Sequence, residues 1–314
     1  MTYDSVYGIL ATVTRVDYNF KGWFTTASGG TEITAAALVK ITSGQTLYAR
    51  WEEKPQLTIT VNSDSKVYDG AELTNAGWDL TSGTLATGDS LEVTVTGSIT
   101  DAGTAANAVT LVKIMRGTTD VTEYYNIDKV NGQLQITKRP VVLTSVSTSK
   151  TYDGAPLTKP EVTITGDGFV AGEATASATG SVTKVGSVVN IIVISKGASY
   201  KDTNYAITWH HGDLKITKNT AAIAITADSG TWTYDGQLHS KDTYQTTGLL
   251  VGFQAEAVIT GDITDFGTAS NIVTSYVIKL GEEDVTNQFG NITTHNGTLE
   301  ITKRPLGITA ASDS

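Results

Sequence analysis

Three blocks recur in the same order three times, and this repetition constrains the fold more than any other feature of the chain. Tyr-Asp-Gly opens each copy, at Tyr68-Asp69-Gly70, Tyr152-Asp153-Gly154 and Tyr234-Asp235-Gly236. A middle block reads TGSITDAGTAANAV from Thr96, TGSVTKVGSVVNII from Thr179 and TGDITDFGTASNIV from Thr260. At one fixed place in it stands an asparagine: Asn107, Asn190 and Asn271. A closing block reads GQLQITK from Gly132, GDLKITK from Gly212 and GTLEITK from Gly297. A catalytic triplet seldom needs three copies, whereas a folding unit copied in tandem repeats all of its blocks together.

The local pattern of each copy is that of strands. LTITV at 57–61, LEVTVTGSI at 91–99, AVTLVKI at 108–114 and LQITK at 134–138 alternate apolar and polar side chains. Alternation with β-branched residues marks half-buried strands. Tyr-Asp-Gly follows a short Lys-Val or Lys-Thr run and predicts a strand ending in a turn. The glycine supplies positive φ there, and the aspartate bonds backbone amides nearby. About seven short strands per copy fit an antiparallel immunoglobulin-like β-sandwich without its disulfide. A β-grasp unit is the alternative, against which no amphipathic helix is found inside the copies. The expected division is a module at 1–54, repeat 1 at 55–140, repeat 2 at 141–220, repeat 3 at 221–305, and the start of a further repeat at 306–314. Each closing strand runs into the next opening strand through Arg139-Pro140, Asn219-Thr220 or Arg304-Pro305. Proline fixes its own φ and biases the residue before it towards extended geometry, so a semi-rigid rod is expected.

Charge and composition exclude several functions. The net charge is −10, and no segment is strongly basic, which argues against nucleic acid and against an anionic membrane surface as partners. There is no cysteine, so disulfides and thiolate metal sites are excluded. No apolar run reaches the ~18 residues that span a bilayer. TYDSVYG after Met1 has the character of mid-domain sequence, so a fragment without signal peptide or anchor is expected.

The three copies resemble the YDG/MBG-type repeats of bacterial surface adhesins over about residues 57–305, on the Tyr-Asp-Gly opening and the Gly-x-Leu-x-Ile-Thr-Lys closing. Repeat 3 departs from the pattern by carrying Trp232-Thr233 where the others have Lys66-Val67 and Lys150-Thr151. Residues 1–52 differ: YNFKGWFTTASGGTEIT from Tyr18 and TLYARW from Thr46 resemble the Listeria–Bacteroides repeat, the internalin B-repeat-like module. That resemblance implies a small β-grasp-like unit whose first strand is missing here. Both resemblances imply a secreted or wall-attached protein and supply no chemistry of their own.

Asp69, Asp153 and Asp235 read as turn aspartates, because a hydrolase needs a second carboxylate and Asp101 and Asp265 correspond to Lys184 in repeat 2. His210, His211, His239 and His295 are scattered and do not make a zinc set. The acidic stretches Gly281–Asn287 and Asp120–Asp128 offer oxygen ligands, so calcium stands as an alternative to a solvated loop. A Lys–Asn isopeptide link from Lys66 or Lys150 to the repeated asparagines would fail in repeat 3, where Trp232 takes the lysine's place; Asn107, Asn190 and Asn271 are therefore expected to be structural. Tyr125, Tyr205 and Phe289 correspond to one another and read as core. The aromatics held as candidate binding residues are Trp78 and Trp209. No nucleophile–base pair, phosphate loop or cofactor fingerprint occurs, and no enzyme or cofactor is expected.

The expected function is a non-catalytic stalk of a cell-surface adhesin. Its partners would be other domains of the same protein, holding a distal binding domain away from the cell. The alternative is that the repeats themselves grip a host glycoprotein or glycan.

Overall fold

The computed structural model describes residues 2–310. The expected further repeat at 306–314 therefore lies partly outside the described residues, and 306–310 carry no strand. The chain divides into two compact units. The first runs to Pro140 and adds Lys201–Ala206; the second takes Val141–Tyr200 and continues from Ile207.

In the first unit, the N-terminal module forms an antiparallel sheet with Tyr18–Phe24 between Glu32–Ile33 and Tyr48–Glu53. Its aromatics sit on the central strand and its neighbour. Phe20 meets Trp23 and Trp51 edge to face at 5.7 and 5.4 Å, and the Arg50 guanidinium lies 4.0 Å from the centre of the Phe24 ring. No helix crosses this sheet among the described residues, so only the strand half of the grasp-like expectation is met.

Repeat 1 is a two-sheet sandwich. One sheet has the order Asn126–Val130, Gln56–Val61, Trp78–Ser82. The other has the order Asp64–Val67, Gly132–Thr137, Gly103–Arg116, Asp89–Thr96. The alternation that marked the strands does place the apolar side chains inward: Leu57, Ile59, Leu134 and Ile114 are fully buried. Each such side chain contributes roughly 1.5–3 kcal/mol on leaving water.

The antiparallel expectation fails at the ends of the sandwich. The opening strand crosses from one sheet to the other at Asn62-Ser63, and the closing strand does so at Asn131. The two travel in the same direction, so Asn126–Val130 pairs parallel with Gln56–Val61, and Gly132–Thr137 pairs parallel with Asp64–Val67. The crossing points touch. A Cβ on Gly132 would lie 2.5 Å from the Asn62 carbonyl oxygen, which is why this closing position is glycine.

In the second unit, repeat 3 copies this plan. Its sheets are Tyr244–Thr247, Ile223–Ala227, Ile292–His295, and Gly230–Thr233, Gly297–Thr302, Gly267–Leu280, Phe253–Thr260. Repeat 2 departs from the plan most plainly in its long strand. Where repeats 1 and 3 have the continuous Gly103–Arg116 and Gly267–Leu280, repeat 2 has Gly186–Asn190 and Ile192–Lys196, interrupted at Ile191.

Candidate functional site

Each Tyr-Asp-Gly corner is built the same way. After Val67 the chain turns, Gly70 takes φ 81°, and the Asp69 carboxylate accepts the Ala71 amide at 2.9 Å. Lys66 ties the corner from within, donating to Asp69 at 2.7 Å and to the Ala71 carbonyl at 2.8 Å. Lys150 does the same to Asp153 and Ala155, at 2.6 and 2.7 Å. The lysine hydrogen bond is the first cause that holds both carboxyls below the ordinary aspartate range. Repeat 3 has no lysine there. Trp232 stacks on His239, ring centres 4.9 Å apart, and His239 reaches Asp235 at 3.0 Å. Lys66 and Lys150 are thus tied into their own corners.

Those asparagines are fully buried clamps. Asn107 donates to the carbonyls of Asn62 and Asn75 at 3.0 and 2.7 Å, Asn190 to those of Val146 and Lys159 at 3.1 and 2.8 Å, and Asn271 to those of Asp228 and Lys241 at 2.8 Å each. In each case one buried side-chain amide bonds two backbone carbonyls, one of them where the opening strand crosses sheets. The amide is fully buried, and left unpaired there it would cost free energy comparable to a lost hydrogen bond, so the clamp holds the crossing point.

The tyrosine of the corner does something the sequence did not announce. Tyr152 packs across repeats in the second unit. Its ring meets Phe253 and Phe289 of repeat 3 edge to face at 6.0 and 5.8 Å, and these two meet each other at 5.5 Å. Tyr152 also shares a core with Ile223, Ile278 and Val285. Beside this aromatic group the Gln288 side-chain oxygen accepts the Val185 amide at 2.6 Å, and Lys184 pairs with Glu283. Asn219, on the connection, donates to the Tyr152 carbonyl at 3.0 Å. Gly154 sits against the same partner: a Cβ there would lie 2.9 Å from both Leu280 and Phe253.

The first unit repeats this arrangement with different residues. Tyr68 meets Tyr205 edge to face at 5.6 Å. Asn204, fully buried, takes the Ala102 amide on its side-chain oxygen at 2.8 Å and donates to Asp101 at 2.9 Å. Lys201 donates to the other Asp101 oxygen at 2.5 Å. These bonds, Asn204 first, hold the Asp101 carboxyl below its ordinary range. Arg139 takes the part of Asn219, donating to the Tyr68 carbonyl at 3.2 Å. Asn204-Tyr205 and Gln288-Phe289 are thus the same amide–aromatic pair, on and just after the 3-10 turns Asp202–Asn204 and Thr286–Gln288.

Repeat 1 has Tyr124-Tyr125 at that place. Tyr125 turns inward, donating from its hydroxyl to Asp89 at 2.6 Å, a carboxylate that also takes Arg116 at 2.6 and 3.0 Å. The neighbour here is the N-terminal module. Asn19 donates to the Tyr124 carbonyl at 3.0 Å, and Asn126 donates to Asp17 at 3.1 Å.

The remaining candidates separate cleanly. Trp78 is half-buried, with one side packed against the cluster of Ile59, Val61 and Val109. Trp209 is 42% exposed and stacks on His211 at 6.0 Å. Asp120 and Asp284, in the acidic stretches, each accept both the amide and the hydroxyl of a threonine two residues on, Thr122 or Thr286. Among the described residues no three His, Asp or Glu side chains converge on a metal position. His210 and His295 are exposed, and His211 accepts the Ile192 amide at 3.3 Å.

Comparison with known proteins adds the following. Residues 1–50 match the family model of the Listeria–Bacteroides repeat domain. No curated protein matches the chain. Among solved structures, Drosophila N-cadherin EC1-4 aligns over 97% of this chain and 96% of its own, at 9% identity and a TM-score of 0.25. Drosophila N-cadherin EC1-3 aligns over 96% and 94%, at 8% identity and a TM-score of 0.20. Both superpositions are too loose to bear on fold or function.

Proposed function

We propose that this chain is a non-catalytic spacer of a bacterial cell-surface adhesin, in which YDG/MBG-type repeats hold a distal binding domain away from the cell. The observation that carries this reading is the aromatic and amide joint at the Tyr152 corner. Adjacent repeats there share a buried core, where a flexible linker would leave each to move alone. Stiff serial packing makes reach scale with copy number. The Listeria–Bacteroides match at the N-terminus supports a place in a bacterial surface protein. The partners are other domains of the same extracellular protein, with no nucleic acid and no membrane insertion by this segment. No helix among the described residues is long and apolar enough to cross a membrane.

Small-angle X-ray scattering, with and without calcium, tests the spacer. A maximum dimension close to that of four domains end to end is expected, unchanged by the ion. A compact profile overturns the reading.

One observation favours a second reading, glycan binding by repeat 2. Trp209 presents an exposed indole with His211 beside it, a face on which a sugar ring could stack. Titration of host-type glycans against the chain and its Trp209→Ala variant decides it; binding lost in the variant supports the reading.

A further inference from the structure

Corresponding faces of the three repeats are covered to very different extents. At the corner of repeat 1, Tyr68 is 4% exposed, and at that of repeat 2, Tyr152 is 2% exposed. At the corner of repeat 3, Tyr234 is 40% exposed and Phe266 beside it 59%. The positions that meet the neighbour at the two covered corners all have counterparts on this third one. Asp265 stands where Asp101 and Lys184 stand, Phe266 where Ala102 and Val185 stand, and Arg304 where Arg139 and Asn219 stand. The backbone is prepared in the same way, since the Tyr234 amide bonds the Thr302 carbonyl as Tyr68 bonds Thr137 and Tyr152 bonds Thr217. Tyr234, Asp265, Phe266, Lys303 and Arg304 line one open pocket, with the Lys303 ammonium 5.0 Å from the centre of the Phe266 ring.

We propose that this face of repeat 3 docks a further repeat of the same type, through an amide–aromatic pair on the incoming unit's 3-10 turn. The aromatic would cover Tyr234, as Tyr205 covers Tyr68 and Phe289 meets Tyr152. The amide oxygen would take the Phe266 backbone N–H, as Asn204 takes that of Ala102 and Gln288 that of Val185. Charge narrows the choice of partner. Asp101 is met by Lys201, and Lys184 by Glu283, so the flanking position is matched by opposite sign. Asp265 therefore selects a unit of the Lys201-Asn204-Tyr205 kind, with a cation ahead of its amide. A second copy of this chain does not offer that pole. Its amide–aromatic pairs already bind Ala102 and Val185, and repeat 1 presents Tyr124-Tyr125 to the N-terminal module. The identity of the partner rests on the serial reading of the repeats proposed above.

The test extends the whole chain after Pro305 with a second copy of residues 141–220. Hydrogen exchange at the Phe266 amide is compared with that of the unextended chain. Slowing by at least about tenfold is expected, the scale of one added protected hydrogen bond. Two further variants of the extended chain keep the result independent of folding failures. Asp265→Lys should restore fast exchange, and changing the appended copy's counterpart of Lys201 to Asp in the same chain should recover protection. Unchanged exchange on extension overturns the docking, as does protection indifferent to both charge changes. Concentration-dependent dimers of the unextended chain with Phe266 protected would overturn the choice of partner. Scattering of the extended chain separates this from the spacer reading: a longer particle with an unprotected Phe266 defeats the docking and leaves the spacer standing.

Discussion

Tyr152 and Tyr234 occupy the same motif position in different surroundings, so truncating each measures what the joint contributes. In Tyr152→Ala the lost ring is 2% exposed and makes two edge-to-face contacts, with Phe253 and Phe289. Removing a buried large aromatic costs about 3–5 kcal/mol, the two aromatic contacts forming part of that at about 0.5–1.5 kcal/mol each. In Tyr234→Ala a ring that is already 40% exposed is removed, and the expected loss is below about 1 kcal/mol, as for ordinary surface changes. A chain of several domains does not unfold in one step, so a global midpoint is the wrong readout. Local opening free energies from native-state hydrogen exchange are the right one. The Val185 amide reports the joint, because its acceptor is Gln288 of the next repeat. Tyr152→Ala should accelerate its exchange by two orders of magnitude or more, at about 1.4 kcal/mol for each tenfold, and Tyr234→Ala should leave it unchanged. If Tyr152→Ala leaves Val185 as protected as before, or if the two variants lose equal stability, the tyrosine acts only within its own corner and the joint is refuted.

Three further outcomes are expected. Gly154→Val places a β-branched residue at φ 82° with its Cβ 2.9 Å from Leu280 and Phe253, and should lower the local opening free energy of repeat 2 by more than about 1 kcal/mol in native-state hydrogen exchange. Gly236→Val, at φ 77° with open space around it, should cost less. Asn190→Ala removes one buried amide that serves the Val146 and Lys159 carbonyls and accepts from Gly180; it should lower local opening free energies in repeat 2 by about 1–3 kcal/mol in native-state hydrogen exchange, and unchanged protection of the Gly180 amide would contradict the clamp. Asp101 is held below its ordinary range by Asn204 and Lys201, so its contribution is present above the unfolded aspartate pKa and fades as pH falls through the lower folded one. Protection of the Ala102 amide, corrected for intrinsic exchange, should therefore weaken at acid pH, and Asp101→Asn should flatten that dependence.

The strands and corners were legible because their causes are local. LTITV alternates, and Leu57 and Ile59 are buried for that reason; Gly70 turns because its φ is positive. The direction of pairing was not legible. A strand with one buried face alternates identically whether its neighbour runs with it or against it, so the parallel pairing of Gln56–Val61 with Asn126–Val130 left no trace. The joints were half visible. Tyr125, Tyr205 and Phe289 were read as core from their recurrence, and Tyr205 and Phe289 are buried partly by a tyrosine from the preceding corner. The separation from Tyr68 to Tyr205 equals that from Tyr152 to Phe289, a regularity in the sequence that would have paired them. The charge match was hidden because Asp101 and Lys184 are opposite in sign at one aligned position, and so look unrelated until their partners are in view.

The parallel pairing of first and last strands decides how a repeat responds to tension. In repeat 1 the opening pair Gln56–Val61 and Asp64–Val67 lies beside the closing pair Asn126–Val130 and Gly132–Thr137, pointing the same way. Force applied through the chain pulls the start of the opening strand backwards and the end of the closing strand forwards. The two slide along their common ladder, so its hydrogen bonds bear the load together and must break together. An antiparallel terminal pair, pulled at one shared end, would open one bond at a time. Repeat 3 has the same arrangement at Ile223–Ala227 with Ile292–His295 and Gly230–Thr233 with Gly297–Thr302. Such a unit yields by crossing one high barrier, and its lifetime under load is set by that unfolding rate and not by its equilibrium stability.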